Sequence, residues 1–214
     1  MSNEEEGFRT ELREKIIQSS LLHFEKYGYH GVTVNQIVAD VGTSKGGFYH
    51  HFSSKDELLY LIHDTFISYV LDKAIRANEM YHSPTEKLSV IIKDFVKVFD
   101  IYKPHISVFY QETVYLKPEY ESLIKAKRDQ FKQLIFQVIY EGKQTGEFRQ
   151  ALPVEITGMA ILGMVNWTYK WYKQGGAKSI NEISDIFVDL ILHAVLDHGN
   201  IHDDAYEALI DDNM

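Results

Sequence analysis

Thr33, Thr43, Ser44, Lys45, Tyr49, His50, His51 and Lys55 place hydroxyls, ring nitrogens and ammonium groups in the stretch GVTVNQIVADVGTSKGGFYHHFSSKDEL, residues 31–58. These groups donate hydrogen bonds or carry positive charge, and none is spaced to activate another as a nucleophile. A Thr33 hydroxyl beside the backbone N–H groups of a helix start suits an anionic phosphate, and Lys55 near the next helix start adds a point charge. Lys45 can reach a guanine edge, while the rings of Tyr49, His50 and His51 can meet thymine methyls or phosphates. The paired Gly46 and Gly47 let the backbone approach a partner closely, at about 1 kcal/mol each in helix propensity. A metal site at His50-His51 is disfavoured, because adjacent helical residues point about 100° apart.

These groups need a scaffold, and the same stretch supplies it. Thr33 stands three residues before Gln36, the capping-box spacing that satisfies orphan N–H groups at a helix start. Val34, Ile37, Val38 and Val41 follow at helical spacing and make an apolar face. Gly42 comes directly after that face, where a chain often leaves a helix with φ > 0. Thr43 or Ser44 can cap the next helix, SKGGFYHHF, in which Phe48 and Phe52 point one way. Lys45, Tyr49 and one or both of His50 and His51 face outward. The pattern predicts a helix-turn-helix whose second helix is shaped to enter a DNA major groove.

Composition sets outer bounds. The 214 residues are 45% hydrophobic with four prolines and no cysteine, so disulfides and thiolate–metal sites are excluded. The N-terminal MSNEEEGFRTELREK has no apolar run of a secretion signal. No stretch approaches the roughly 18 uninterrupted apolar residues of a membrane span, and the expected location is the cytoplasm. A net charge of −9 opposes phosphate binding, but the charge is unevenly placed. Acid concentrates at Glu4–Glu6, read as a tail, and at Asp197, Asp203, Asp204, Glu207, Asp211 and Asp212. Between Gly7 and Lys55, six Lys and Arg stand against four Glu and Asp. Acidic bulk elsewhere would repel non-specific DNA and leave selection to the contact patch.

The remaining periodicity is helical throughout. A first helix is expected from about Arg9 to Tyr27, ended by Gly28. Ser54-x-x-Glu57 opens a long helix, DELLYLIHDTFISYVLDKAIRA. Pro84 begins a segment carrying Leu88, Ile91, Ile92, Phe95, Val96 and Phe99; Pro104 breaks the pattern before HISVFYQETVYL. Pro118 opens a helix that ends between Gly142 and Gly146, and Pro153 opens VEITGMAILGMVNWTYKWYK, which stops at Gly175-Gly176. Ser179-x-x-Glu182 caps ISDIFVDLILHAVL. One helical turn around Ala205–Leu209 is expected in the tail. There is no internal repeat and no strand pattern.

Residues 16–58 resemble the DNA-binding domain of the TetR family of bacterial transcriptional regulators. The resemblance is carried by Ile16, Ile17, Leu21, Phe24, Gly28, Tyr29 and Thr33, and then by Ile37, Gly42, Ser44, Lys45, Gly46, Phe48, Tyr49, Phe52, Ser54, Lys55 and Leu58. It implies an all-α fold: a three-helix helix-turn-helix domain over 8–56, a larger helical ligand-binding and dimerisation domain over 57–198, and an acidic tail over 199–214. It implies that Lys45, Gly46, Gly47, Tyr49 and His50 face bases or nearby phosphates, and that Thr33 and Lys55 hold the DNA backbone. Thr43, Ser44 and His51 complete the candidate contact set. Two positions depart from the family pattern. Gly47 stands where Thr, Ser or Asn is usual, and Thr43 where an aliphatic residue is common. The preferred base sequence is therefore the chain's own.

In the larger domain the aromatics serve either core packing or a ligand cavity between helices. TetR-like proteins carry such a cavity, and the candidate lining is Phe95, Phe99, Tyr102, Phe109, Tyr110, Arg128, Phe131, Trp167 and Trp171. The last helix has more apolar residues than one core-facing stripe needs. With Ala160, Gly163 and Met164, that surplus points to a homodimer built on Met164, Ile183, Phe187, Leu190, Ile191 and Ala194. The phrase NWTYKWYKQGG resembles the tails of TetR-like regulators of fatty-acid and sterol-ring breakdown, many of which sense acyl-CoA thioesters. Arg128, Lys132, Arg149, Lys170 and Lys173 are the cations available to CoA phosphates. No nucleotide loop, H-E-x-x-H, G-x-S-x-G or cysteine nucleophile is present, so no enzyme, cofactor or metal is expected. The expected partners are a double-stranded operator, a small effector and a second copy of the chain, with no membrane. The competing expectation is a DNA-bound structural or partner-binding protein with no effector.

Overall fold

Gly28 and Gly42 divide the N-terminal region into three helices: α1 (Asn3–Tyr27), α2 (Val34–Val41) and α3 (Lys45–His51). Both glycines take left-handed backbone, φ +72° and +74°, which a side chain would disfavour. The computed structural model describes residues 3–197, with the side chains of 3–9 left aside. The acidic tail, including the expected turn near Ala205–Leu209, lies outside the described residues. Since α1 begins at Asn3, Glu4–Glu6 lie within its start rather than in a tail. Thr33 and Gln36 close the expected capping box of α2, and Ser44, rather than Thr43, caps α3. Ile16, Leu21, Phe24, Ile37, Phe48 and Phe52 are almost wholly buried between the three helices, each stabilising the fold by about 1.5–3 kcal/mol.

Ser54 accepts from Glu57 N and opens α4 (Lys55–Met80), which runs from the N-terminal helices into the rest of the chain. Ser83 and Pro84 start α5 (Pro84–Ile101). Pro104 sits in the first turn of α6 (Lys103–Glu112), where its missing N–H costs nothing. A 3-10 turn, Thr113–Tyr115, follows. Pro118 opens α7 (Pro118–Thr145), and Gly146 ends it in the left-handed region. The long helix expected after Pro153 is two pieces, α8 (Val154–Asn166) and α9 (Thr168–Trp171). A reciprocal Ser179–Glu182 capping box starts α10 (Ile180–Val195).

α4 is the axis of the larger bundle and packs against α5, α6 and α7, while α10 lies along α5. A Cβ on Gly158 would fall 2.4 Å from the Phe136 ring, so it is Gly158 that lets α8 approach α7. Gly163, expected to allow close helix approach in a homodimer, has open space beside it within the single chain. Among the described residues there is no strand, only one antiparallel bridge, Phe148 to Leu196. It fastens the end of α10 to the loop after α7.

Candidate nucleic-acid interface and adjoining cavity

α3 has two faces because Phe48 and Phe52 are one turn apart. With those rings buried, Lys45, Gly46, Tyr49 and His50 are left in solvent, Tyr49 with 53% of its surface exposed. His51 is half-buried, with its ring 5.1 Å from that of His50. The Ser44 hydroxyl accepts from Gly47 N at 3.1 Å, so its exposed oxygen is already the helix cap. Thr33 is exposed too, its hydroxyl donating to Gln36 Oε1 at 2.8 Å and accepting from Gln36 N at 3.3 Å.

The two departures from the family pattern turn out to touch. A Cβ on Gly47 would lie 2.4 Å from the Thr43 Oγ1. The Thr43 hydroxyl thus occupies the space that a side chain at 47 would need. One substitution accommodates the other, and a half-buried hydroxyl takes the place of the missing side chain.

Lys55 has a second occupation. Its ammonium donates to Tyr29 O at 2.8 Å and Val32 O at 2.7 Å, and it lies 4.0 Å from the centre of the Tyr29 ring. It ties down the loop between α1 and α2, and burial pulls its pKa below the ordinary ammonium value, with Asp56 opposing.

That loop is also held by the larger bundle through residues that periodicity had not singled out. Tyr29 N donates to Glu112 Oε2 at 3.1 Å across the junction between α1 and α6. The Tyr29 hydroxyl donates to Asp56, which pairs with Lys117 at 2.9 Å. Tyr115, in the 3-10 turn, packs edge-on to His30 with ring centres 4.3 Å apart. The Tyr29 contact lowers the Asp56 carboxyl below its usual range, and Lys117 adds to it. A buried Glu112 one residue before a short turn carries no periodic signal, so only the tertiary structure reveals this clasp.

Two residues before Glu112, α6 borders a cavity of about 320 Å³. Of the expected lining, Phe95, Phe109, Tyr110, Arg128 and Phe131 border it, joined by Lys132. Phe66 and Ile67 of α4, Asp129 of α7, and Met159, Leu162, Gly163 and Asn166 of α8 complete it. Four expected residues do not. Phe99 faces a separate small crevice with Tyr169 and Tyr172. Tyr102 packs on Tyr69, ring centres 5.1 Å apart. Trp167 and Trp171 are surface residues, 61% and 44% exposed, because the break after Asn166 turns α9 away. Three expected cations are elsewhere as well. Arg149 donates to Ala194 O, Lys170 lies over the Tyr169 ring and Lys173 is exposed.

The polar groups in the cavity wall are few. Tyr110 donates to Asn166 Oδ1 at 2.7 Å, and burial pushes its hydroxyl pKa up. His63, fully buried behind Phe109, sets Nδ1 2.9 Å from Leu59 O and Nε2 3.3 Å from Thr113 Oγ1. Burial lowers its pKa to about 4, and the Arg128 charge acts in the same direction. At neutral pH it is an uncharged link between α4 and the 3-10 turn.

The expected dimer residues divide by face. Ile183 and Ile191 are buried inside the chain, where α10 lies along α5, so neither is available to a partner. Phe187 is half-buried, and Met164, Leu190 and Ala194 are exposed. On these two helices and just after α8, the exposed large apolar residues are Ile156, Met159, Met164 and Trp167, and Ile186 and Leu190 on α10. Both faces of α10 repeat at helical spacing, so the sequence alone could not assign them.

Comparison with known proteins adds an independent line. The family described as "Bacterial regulatory proteins, tetR family" matches residues 16–60, and "Tetracyclin repressor-like, C-terminal domain" matches residues 81–195. The chain is similar to the HTH-type transcriptional repressor KstR2 of Mycolicibacterium smegmatis, 22% identical over 185 residues, 86% of this chain and 90% of the relative. Its fold resembles the TetR family transcriptional regulator PfmR from Thermus thermophilus, with TM-score 0.77 and 28% identity over 83% of this chain and 97% of that one. It also resembles AibR, solved in complex with isovaleryl coenzyme A and operator DNA, with TM-score 0.73 and 21% identity over 84% and 97% of the two chains.

Proposed function

The chain belongs to the tetR family of bacterial regulatory proteins, and on that premise we propose that it is a repressor released from a palindromic operator by an acyl-type effector. It is a DNA-binding transcriptional regulator and not an enzyme. Its division near residue 56 into a reading head and an effector-binding, dimerising body belongs to the proposal. So does assignment of Lys45, Gly46, Gly47, Tyr49 and His50 to bases or adjacent phosphates, and of Thr33, Ser44 and Lys55 to phosphates. No helix among the described residues is long and apolar enough to cross a membrane, and we place the protein in the cytoplasm with its operator.

The observation that carries the effector reading is the cavity of about 320 Å³, with aromatic walls and a few polar groups, which shares α6 with the clasp on the head. Pockets of about 300–1,000 Å³ with this lining take small molecules. AibR, a structural neighbour, was solved with an acyl-CoA and operator DNA, and KstR2 is a named repressor; both support the class of ligand and the direction of control. A second copy of the chain is the proposed cover for the exposed apolar residues of α8 and α10, among them Met164, Leu190 and Ala194. Two-fold pairing would set two copies of α3 on successive major grooves. An effector can move this equilibrium only by its difference in affinity for the DNA-bound and free states.

The test is operator selection from random DNA followed by anisotropy titration. Tyr49→Ala and Lys45→Ala should each cost about 1–3 kcal/mol in operator affinity if they contact bases, with dimer mass unchanged. A Tyr49→Ala protein that binds as tightly as the parent removes the assignment of α3.

A further inference from the structure

Two cavities meet at Arg128. The inner one is the aromatic chamber described above. The outer one, about 210 Å³, lies between α7 and the 3-10 turn and is bordered by Thr113, Leu116, Glu121, Ile124 and Lys125. Arg128 and Asp129 border both. Their charges are not equally available. Asp129 is paired with Lys132 at 2.7 Å. Arg128 forms no ion pair with a described residue, and its guanidinium lies 6.0 Å from the centre of the Phe109 ring. An exposed guanidinium with no ion pair to a described residue, whose planar fork suits oxygen acceptors, therefore borders both cavities. The inner chamber is at the small end of ligand pockets, so it can hold a hydrocarbon chain or fused rings without what they are attached to.

We propose, building on the acyl effector of the preceding reading, that Arg128 receives the acyl oxygen: the hydrocarbon fills the inner chamber, and the group borne by the acyl carbon runs through the outer chamber across Thr113 and Leu116. A free carboxylic acid and a CoA thioester share that oxygen and differ only in what enters the outer chamber. There the free acid ends near Arg128, while the thioester extends past Lys125 and Glu121. The orientation has a regulatory consequence. The outer wall is the 3-10 turn, flanked by the Glu112 that holds Tyr29 N and containing the Tyr115 that packs on His30. The group leaving the inner chamber presses on the segment that fastens the reading head.

Calorimetric titration of the full chain with decanol, decanoate and decanoyl-CoA, and with the matching alcohol, acid and thioester of a fused-ring skeleton, tests this orientation. The acid, the thioester or both should bind about tenfold more tightly than the alcohol, the gain of a hydrogen bond to a charged group. Arg128→Ala should erase that preference and leave alcohol binding within about twofold, which also certifies the fold of the variant. Lys125→Glu should weaken the thioester by up to about fivefold and spare the acid. If only one acyl form binds and Arg128→Ala weakens it, the source is identified and the assignment stands. Equal binding of alcohol and acyl forms, or equal losses for all probes in Arg128→Ala, overturns the assignment while leaving an apolar effector cavity. If no member of either series binds, the effector reading itself fails.

Discussion

Thr43 and Gly47 carry this chain's individuality at the reading surface, since the hydroxyl of one fills the space left by the other. Gly47→Ser should therefore displace Thr43 and lower operator affinity, and combining it with Thr43→Ala, which removes the atom in the way, should restore part of the loss. Anisotropy on a double-mutant cycle should yield a coupling of about 0.5–3 kcal/mol; additive losses would mean that the two positions act independently. His63 makes a different prediction. Unfolded, its imidazole takes a proton near pH 6.5, whereas in the fold it does so only near 4. Between those values the unfolded chain binds more protons, so stability falls as pH is lowered through that window. Denaturant titrations should show His63→Leu losing up to about 1.4 kcal/mol per pH unit less than the parent there. Parallel curves for the two proteins would mean that His63 is protonated in the fold.

The helices themselves were largely legible, and the reason is local. Thr33 and Gln36, Ser54 and Glu57, and Ser179 and Glu182 were all found at helix starts, because capping depends on neighbours three residues apart. What failed was what depends on a partner distant in sequence. NWTYKWYK kept helical composition across a real break at Trp167, so Trp167 and Trp171 were placed in a cavity they do not reach. On α10 two apolar stripes look alike until α5 claims one. That division predicts opposite fates for adjacent substitutions. Leu190→Glu should give a folded monomer by light scattering and circular dichroism, whereas Ile191→Glu should unfold the chain, since a buried unpaired charge costs several kcal/mol. A dimeric Leu190→Glu protein would move the interface elsewhere. Lys55 likewise acts within the fold as well as through its charge. Lys55→Ala should lower stability by about 1–3 kcal/mol by stripping donors from Tyr29 O and Val32 O; an unchanged melting temperature would leave only the phosphate role.

Across the chain, a net charge of −9 coexists with a helix α3, proposed to read the operator, of which Lys45, Tyr49 and His50 form the exposed face. On the proposed reading, acidic bulk would keep non-specific DNA away, and the helices that line the cavity would carry the effect of its contents to the head. α4 enters the head at Lys55 and lines the cavity at Phe66 and Ile67, while α6 lines it at Phe109 and Tyr110 and ends at the Glu112 clasp. Binding and release are then one linked equilibrium: a ligand that favours the DNA-free arrangement must stabilise the folded chain and weaken the operator complex together. The direct measurement is a titration of acyl-CoA into the protein, reading melting temperature in one series and operator anisotropy in the other. The account predicts that both change over the same ligand concentrations, with stabilisation of about 2.7 kcal/mol at a hundredfold excess over the dissociation constant. A melting temperature that rises while the operator stays bound throughout would contradict it.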